Sequence, residues 1–439
     1  MIIYQILGPT KYSEVEYEIE EEDKGKERYR CRLSSEALYK HYKNDKITKI
    51  VLLKPESVDD LSINETVEKV RDNTDGNVEI KTIQAVGTYN NTYYNGTPSN
   101  ISLQIFVDML RRKRVCEDMI IDLSTGYNLY VLSLLEAARF YTSYMRLYYA
   151  DLSETEIFVR YAISEPVVRE SSGPYNIYVE KLQTLTIFDL SLKRRELDSI
   201  NLTSFIEDAD KKDIGQRFSS LNNSVKRILR NLIIAYNAIR YNAPLFLFSG
   251  IDLGKEDENE DIVDQLCEFI DQIICDKKKI KREIYHKIFL SMAIRNGIWY
   301  ILRDKLDYKS DRGVSLDTLE SVFSSLYNNL KLDLNLRFLK KEIDEIKEQY
   351  KEYITNEWKT YKDIRGSALD RSLTNLNEYQ SSSLSKKNVR SSDIKRNFFA
   401  HAGLSYDTLE LRLDNEHILC RYRRDKINEI QQWIEDPDK

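Results

Sequence analysis

Residues 119–128 read Met-Ile-Ile-Asp-Leu-Ser-Thr-Gly-Tyr-Asn and decide the fold of the first half of the chain. The apolar run is typical of a buried strand, and the small polar residues after it predict a tight turn. From Leu129 to Arg146 apolar residues recur at helical spacing, so a helix is predicted directly after the turn. A strand, a turn and a helix in this order form the unit from which parallel sheets are built.

The same alternation of strands and helices extends on both sides of this stretch. Strands are predicted at residues 2–7, 15–19, 47–53, 78–86, 119–123 and 156–163, and helices at 35–42, 64–73 and 99–112. Strands separated by helices favour a parallel arrangement with helices on both faces. The sequence therefore predicts an α/β N-terminal domain over residues 1–195, Rossmann-like, with a mostly parallel sheet.

Three predicted strand ends carry short polar loops. Ligands of open α/β sheets gather where strands end and helices begin, and the free N–H groups of a helix N-terminus attract phosphate. A helix cap alone and a cap with a bound ligand are both consistent with the turn after residue 123. If the three loops converge on one sheet edge, they form a phosphate-binding cleft. The candidate residues are Pro9 and Thr10, then Gly87 and Thr88, and finally Ser124, Thr125 and Gly126.

From about residue 192 the pattern becomes helical. Amphipathic helices are predicted at 212–240, 261–275, 281–305, 316–330 and 334–361, and a short hairpin at 408–423. We divide this half into linker helices at 196–252, a helical insertion of unknown role at 253–339, and an all-α domain with a small C-terminal hairpin at 340–439. One interpretation of the insertion is that it makes contacts between copies of the chain.

A candidate catalytic motif lies near the C-terminus, where residues 396–401 read Arg-Asn-Phe-Phe-Ala-His. Histidine exchanges protons near neutral pH, and arginine offers planar donors to phosphate. Taken alone, the spacing favours a salt-bridging surface arginine and a partly buried structural histidine. Arg412 and His417 share it, but they fall in the predicted hairpin, where His417 is expected at the edge.

Residues five apart lie roughly 140° around a helix axis, so Arg396 and His401 cannot both face one small site from a straight helix. A helix that ends near His401, with Gly403 as terminator, would relieve this constraint. A site shared between two copies of the chain would also relieve it.

The composition excludes several classes of protein. With 439 residues and a net charge of −6 the chain is not a general nucleic-acid coat, so any RNA contact is local. The 5 cysteines form no CxxC pair, and no histidine–cysteine or carboxylate cluster indicates a metal site. No stretch is apolar enough to span a membrane, and the N-terminus lacks the basic segment of a signal peptide, so we expect a soluble cytoplasmic protein.

The best local basic patch comprises Lys386, Lys387, Arg390, Lys395, Arg396, Arg421, Arg423 and Arg424.

An α/β domain with the turn Asp-Leu-Ser-Thr-Gly, followed by a helical domain ending in Arg-Asn-x-x-x-His, resembles the CARF–HEPN ribonucleases of type III CRISPR immunity. The resemblance implies a CARF sensor domain that binds a cyclic oligoadenylate, and cyclic tetra-adenylate is the expected ring. It places Ser124, Thr125, Gly126 and Asn128 in the ligand loop. Arg396, Asn397 and His401 then form a composite site between the HEPN domains of a homodimer, or of a higher oligomer of dimers.

The expected reaction is metal-independent endonucleolytic cleavage of single-stranded RNA, by 2′-hydroxyl attack that gives a 2′,3′-cyclic phosphate. The alternative is a non-enzymatic regulator in which the same sensor drives a helical DNA-binding module. The acidic balance of the chain counts against that alternative. Slow cleavage of the activator by the sensor domain itself also stays open.

Overall fold

The structure is a computed structural model that describes residues 1–9, 11–21, 25–44, 48–112, 118–149, 159–167, 174–184, 202–207, 211–249, 256–302, 312–330, 332–375 and 391–437. Among these residues, no helix has both the length and the apolar character needed to cross a membrane.

The N-terminal half is built around one eight-stranded sheet with the strand order β3-β2-β10-β9-β8-β1-β4-β5. Its elements in chain order are β1 Ile2–Ile6, β2 Val15–Glu21, β3 Gly25–Cys31, α1 Ser34–Tyr42, β4 Lys49–Pro55, α2 Asp60–Asn73, β5 Val78–Ile83, β6 Val86–Tyr89, β7 Thr92–Asn95, α3 Pro98–Arg111, β8 Met119–Asp122, α4 Asn128–Tyr148, β9 Val159–Ser164 and β10 Tyr175–Lys181.

The central strands of this sheet are parallel, which confirms the predicted α/β fold. β1 pairs in parallel with β4 on one side and β8 on the other, and Gln5 lies opposite Asp122. β4–β5 and β8–β9 are also parallel pairs, whereas β10 is antiparallel to β9 and β2 to β3. After β1 the chain forms β2 and β3 at one edge of the sheet, then adds β4 and β5 on the other side of β1, and later returns to pair with β1 again at β8. The gap between the carboxyl ends of β1 and β8 is the topological switch point of the sheet.

Both faces of the sheet are covered by helices, and every residue of β1 is buried. Ile2, Tyr4 and Ile6 belong to a core that includes α3 and α4, whereas Ile3 belongs to a second core with α1 and α2. Successive side chains of β1 therefore lie in two separate apolar cores, one on each face of the sheet.

The C-terminal half is mainly helical. Its elements are β11 Ile206–Glu207, α5 Lys211–Arg217, α6 Ser219–Arg240, α7 Glu256–Cys275, β12 Lys279–Ile280, α8 Arg282–Leu302, β13 Val314–Ser315, α9 Leu316–Asn329, α10 Asp333–Glu345, β14 Lys359–Thr360, α11 Tyr361–Asn375, α12 Ser391–Ala400, β15 Leu409–Asp414, β16 His417–Tyr422 and α13 Ile427–Glu435. The predicted hairpin is β15–β16, and it is the centre of a four-stranded sheet in the order β13-β16-β15-β14.

One predicted helix of this half is wrong. The stretch 334–361 does not form a single helix, because α10 ends at Glu345 and passes into a π-helical turn, Ile346–Tyr350, and a short 3₁₀ helix. Lys359 and Thr360 then pair with β15 as β14. Tertiary pairing with the hairpin overrides the helical spacing of the apolar residues.

The middle helices pack on the N-terminal half. α8 packs along α4, and α7 contacts α3. The side chain of Asn100 on α3 donates to the carbonyl of Lys278 at 2.9 Å and accepts from the N–H of Ile280 at 3.1 Å. The core beneath α3 and α4 also contains residues of α7, α8 and the C-terminal elements, so one apolar core runs through both halves.

Candidate functional site

The loops after β1 and β8 meet at the switch point of the sheet. A Cβ added to Gly8 would lie 3.8 Å from the Cα of Gly126. Two of the three predicted ligand loops therefore converge, as the strand-end argument required.

The hydroxyls of Ser124 and Thr125 are engaged inside the protein. Thr125 donates to the carbonyl of Ile6 at 2.6 Å and accepts from the amide of Gln5 at 3.0 Å. Ser124 donates to Asp122 at 2.5 Å and accepts from the backbone N–H of Ser164 at 2.8 Å. These bonds fix the loop between three strands.

A buried polar cluster lies behind this loop, and sequence reasoning missed it. Asp122 is fully buried and accepts from the hydroxyl of Ser34, the first residue of α1, at 2.6 Å. Burial raises the pKa of Asp122, although the hydrogen bonds from Ser124 and Ser34 oppose the rise. Gln5 donates to Ser34 and accepts from Ser35. The available signal was a glutamine and an aspartate inside two otherwise apolar strands, which lie opposite each other in register.

Gly126 and Asn128 form the junction with α4. Gly126 has φ +103°, and a Cβ added there would lie 2.5 Å from the Cγ2 atom of Ile6, so glycine is required for close packing on β1. Asn128 is exposed and begins α4, and its N-cap residue Tyr127 makes no side-chain capping bond. The first turn of α4 keeps backbone N–H donors that suit an anion.

The remaining predicted ligand residues are Pro9, Thr10, Gly87 and Thr88, and they do not all lie at the ends of strands of the main sheet. Pro9 is exposed in the loop after β1, and Thr10 lies outside the described residues. Gly87 and Thr88 do not follow a strand of the main sheet, because β5 ends at Ile83 and they belong to the separate β6–β7 hairpin. The predicted strand 78–86 was too long at its end for this reason.

The β6–β7 hairpin nevertheless lies beside the start of α4. The ring of Tyr89 is 6.2 Å from that of Tyr127, and the backbone N–H of Val86 donates to the hydroxyl of Tyr130 at 3.3 Å. Tyr127 and Tyr93 are both well exposed. Aromatic faces next to uncapped helical N–H groups suit a ligand that carries both bases and phosphates.

The C-terminal motif lies at the end of α12. Arg396 is exposed on the helix, Asn397 follows it, and the N–H of His401 bonds to the carbonyl of Asn397 at 3.0 Å. The next two residues, Ala402 and Gly403, have φ +50° and +73°. The N–H of Gly403 returns to the carbonyl of Phe398 at 2.9 Å, which ends the helix in a Schellman motif with His401 at the C-cap. The helix thus ends where the sequence predicted.

The imidazole of His401 is held by a carboxylate from another helix. Its Nδ1 atom is 3.0 Å from Oε2 of Glu342 on α10; the side chain of His401 is 40% exposed and that of Glu342 only 9%. Sequence reasoning did not find Glu342. The signal was a glutamate on the buried face of α10, beside Leu339 and Ile343.

The second arginine–histidine pair has a different setting. Arg412 lies on β15 and His417 begins β16 after a turn at Asn415 and Glu416, so His417 is at the edge of the hairpin as predicted. His417 contacts Asp317 at 3.2 Å, but both side chains are more than half exposed.

The predicted basic patch is only partly described. Lys386, Lys387 and Arg390 lie outside the described residues. Lys395 donates to the carbonyl of Asp436, Arg421 pairs with Glu410 at 2.8 Å, and Arg423 pairs with Asp425 at 2.7 Å. Several members therefore have structural partners, and a shared RNA surface stays a prediction.

No cluster of three or more histidine, cysteine or acidic side chains suited to a metal ion occurs in the part of the chain that the structure describes. Metal-free cleavage itself stays a prediction.

Two family models match the chain. Residues 2–166 match the CARF domain of the CRISPR system endoribonuclease Csx1, and residues 332–424 match the HEPN domain of the same endoribonuclease. Together the matches cover more than half of the chain and include the switch-point loop, Glu342 and the motif at residues 396–401. No curated protein matches the chain.

Proposed function

Since this chain belongs to the CARF–HEPN ribonucleases of CRISPR systems, we propose that it is a cyclic-oligoadenylate-activated endoribonuclease that cleaves single-stranded RNA without a metal. The observation that carries the proposal is the end of α12. There Arg396 is exposed, and the partly exposed ring of His401 is held at Nδ1 by Glu342. A charged guanidinium and an oriented imidazole are the groups that phosphoryl transfer from an internal nucleophile needs.

The reaction begins with attack of the RNA 2′-oxygen on the adjacent phosphorus. His401 accepts the 2′-hydroxyl proton, the bond from phosphorus to the 5′-oxygen breaks, and the leaving oxygen takes up a proton. The products are a 2′,3′-cyclic phosphate and a 5′-hydroxyl. Arg396 stabilises charge on the non-bridging oxygens of the phosphorane, and Asn397 orients the phosphate or the histidine.

The site is completed by a second copy of the chain. Arg396 lies on α12 and His401 follows the last residue of that helix, and both side chains are at least partly exposed. A two-fold axis beside α12 brings two arginines and two histidines together, so that one imidazole accepts the proton and the other donates one. A homodimer, or a larger assembly of such dimers, is the active form.

The activator binds at the switch point of the sheet. The first turn of α4 without a side-chain cap supplies donors for phosphate, and the exposed ring of Tyr127 supplies a face for adenine. Cyclic tetra-adenylate is the ring that the family resemblance favours. It acts only through a higher affinity for the active arrangement of the dimer.

The regulator alternative has less support. That alternative assigns DNA binding to the middle helices and a structural role to Arg396 and His401, whereas the HEPN match at residues 332–424 includes both residues in a domain of an endoribonuclease. We therefore keep the ribonuclease as the single proposed function.

The test is cleavage of a fluorescent single-stranded RNA in EDTA, with and without cyclic tetra-adenylate. The wild type, His401→Ala and His417→Ala are compared, because both histidines follow an arginine by five residues and contact an acidic side chain. Stimulated cleavage that is lost only in His401→Ala supports the proposal. Equal cleavage by wild type and His401→Ala would overturn the catalytic assignment, and cleavage blocked by EDTA would overturn metal independence.

A further inference from the structure

Resting on the ribonuclease function proposed above, we infer that Glu342 is a positioning residue for the reaction. It holds the Nδ1 atom of His401 so that the Nε2 atom of the ring is presented to the RNA.

The place of Glu342 in the fold argues for a specific role. It lies on the buried face of α10 with Leu339 and Ile343, and its side chain is 9% exposed. A carboxylate at such a position loses most of its hydration, which is costly unless a charged or hydrogen-bonding partner replaces the water. The partner here is the imidazole of His401, at 3.0 Å. An apolar side chain would pack on this face without that cost.

The hydrogen bond selects one form of the histidine ring. An ionised carboxylate only accepts hydrogen bonds, so the Nδ1 atom of His401 carries a proton and donates it to Glu342. In the neutral ring the lone pair is then on Nε2, which is the atom free to accept a proton from substrate. When the ring is protonated, the same carboxylate stabilises the imidazolium and Nε2 becomes the donor.

The backbone of His401 is fixed as well as its ring. Its N–H bonds to the carbonyl of Asn397, and its carbonyl accepts from the N–H of Leu404 at 2.7 Å. The helix-ending turn at Ala402 and Gly403 sets the direction in which the side chain leaves the chain. With the Cα position and one ring nitrogen both held, the remaining nitrogen has a defined position.

Titratable groups of α11 lie near this pair. Tyr361 on α11 is near Glu342, and its pKa is raised, first by burial and then by Tyr350, Glu345 and Glu342. Arg365 on α11 acts on Tyr361 in the opposite sense. None of these groups replaces the carboxylate at Nδ1.

The chain contains a matched control. His417 contacts Asp317 through the same ring nitrogen at 3.2 Å, but its side chain is 65% exposed and that of Asp317 57% exposed. An exposed pair of this kind contributes little to either stability or orientation. Asp317→Asn removes the same type of partner from a histidine outside the site.

The experiment measures the kcat and KM of activator-stimulated RNA cleavage by full-length Glu342→Gln and Asp317→Asn. We expect kcat of Glu342→Gln to fall about 10- to 100-fold with KM little changed, because an outer partner of a reacting histidine is lost. Asp317→Asn should match the wild type in both respects.

A double mutant separates positioning from a purely structural role. In a His401→Ala background, Glu342→Gln should cause no further loss of cleavage, because the two residues act as a unit. A rise in KM without a fall in kcat, or an additive loss in the double mutant, would overturn the inference. Full activity of Glu342→Gln beside an inactive His401→Ala would overturn it and leave the proposed function standing.

Activity of His401→Ala itself would instead overturn the proposed function and with it the inference. If glutamine at position 342 prevents folding, Glu342→Asp retains the charge but shortens the side chain by one methylene. The same comparison of kcat with KM and the same double mutant then decide the question.

Discussion

The hydroxyl of Thr125 donates a hydrogen bond of 2.6 Å to the backbone carbonyl of Ile6, and so ties the loop after β8 to the end of β1. These two residues are 119 positions apart in sequence. We propose that the loop after β8 binds the activator. The hydrogen bond therefore anchors this loop at the switch point of the sheet, between β1 and β8.

Thr125→Val should weaken this anchor while retaining the shape of the side chain. Losing the hydrogen bonds of Thr125 with the Ile6 carbonyl and the Gln5 amide costs about 1–3 kcal/mol. We expect a lower thermal unfolding temperature and weaker activation, with cleavage in the absence of activator unchanged. Thr92→Val, on the exposed face of the β6–β7 hairpin, should change stability by less than about 0.5 kcal/mol. Equal unfolding temperatures for the two variants would contradict the anchor.

Gly126→Ala should be more harmful than Gly87→Ala, although both glycines have similar positive φ values of +103° and +94°. At Gly126 an added Cβ would lie 2.5 Å from the Cγ2 atom of Ile6, whereas at Gly87 nothing lies within 4 Å. Both variants incur roughly 1 kcal/mol of backbone strain, and Gly126→Ala adds an overpacking cost of about 1–3 kcal/mol. Chemical denaturation of the two proteins tests the difference. Similar midpoints would show that the loop moves away from β1 easily.

His286→Phe should stabilise the protein in acid. His286 stacks on Phe140 at 3.7 Å between α4 and α8, and burial, aided by Arg282, lowers its pKa from 6.5 to about 3. The unfolded state therefore binds a proton that the folded state does not, so this histidine lowers stability as the pH falls below 6.5. By pH 5 the loss reaches at most about 2 kcal/mol, at 1.36 kcal/mol per pH unit.

The measurement is the urea midpoint of both proteins at pH 8 and pH 5. The advantage of the phenylalanine variant over the wild type should be larger at pH 5. An advantage that is the same at both values would mean that the ring of His286 is protonated in the folded protein.

Arg396→Lys should retain positive charge but lose the planar set of donors. We expect cleavage to fall roughly 10- to 100-fold, because lysine contacts a phosphate as a single point. Arg71→Lys, at an exposed position on α2, serves as the control and should cleave normally. A fully active Arg396→Lys would mean that charge alone is required, and single-turnover cleavage at saturating activator makes the comparison.

The parallel sheet could be predicted from sequence because its strands are apolar runs, and the segments between them have apolar residues at helical spacing. The predicted helix 35–42 corresponds to α1, Ser34–Tyr42, and the predicted helix from Leu129 to Arg146 lies within α4, Asn128–Tyr148. The β2–β3 hairpin was only half predicted, because β3 reads Gly-Lys-Glu-Arg-Tyr-Arg-Cys and lies at the sheet edge with mostly exposed side chains. Its pairing with β2 is a tertiary property that no local apolar pattern reveals.

The site was predicted unevenly for a similar reason. Arg396 and His401 were proposed from their spacing in the sequence. The end of α12, which lies between them, was predicted from the glycine at position 403. Glu342 was not found, because it is 59 positions away and only folding brings it to His401. Gly87 and Thr88 were placed at the end of a sheet strand because the break between Ile83 and Val86 leaves no mark in the apolar pattern.

The apolar core shared by α3, α4, α7 and α8 restricts how the sensor half can diverge. Phe106 on α3 packs its ring against Phe140 on α4 and Phe289 on α8, and Asn100 holds the backbone at residues 278 and 280. A sensor transplanted from a relative would bring foreign α3 and α4 surfaces against native α7 and α8, and would leave poorly filled space in the interior. Recombination between related genes should therefore give a folded chimera only when residues 256–302 come from the same parent as the sensor. The unit that must be exchanged thus extends well beyond the sheet.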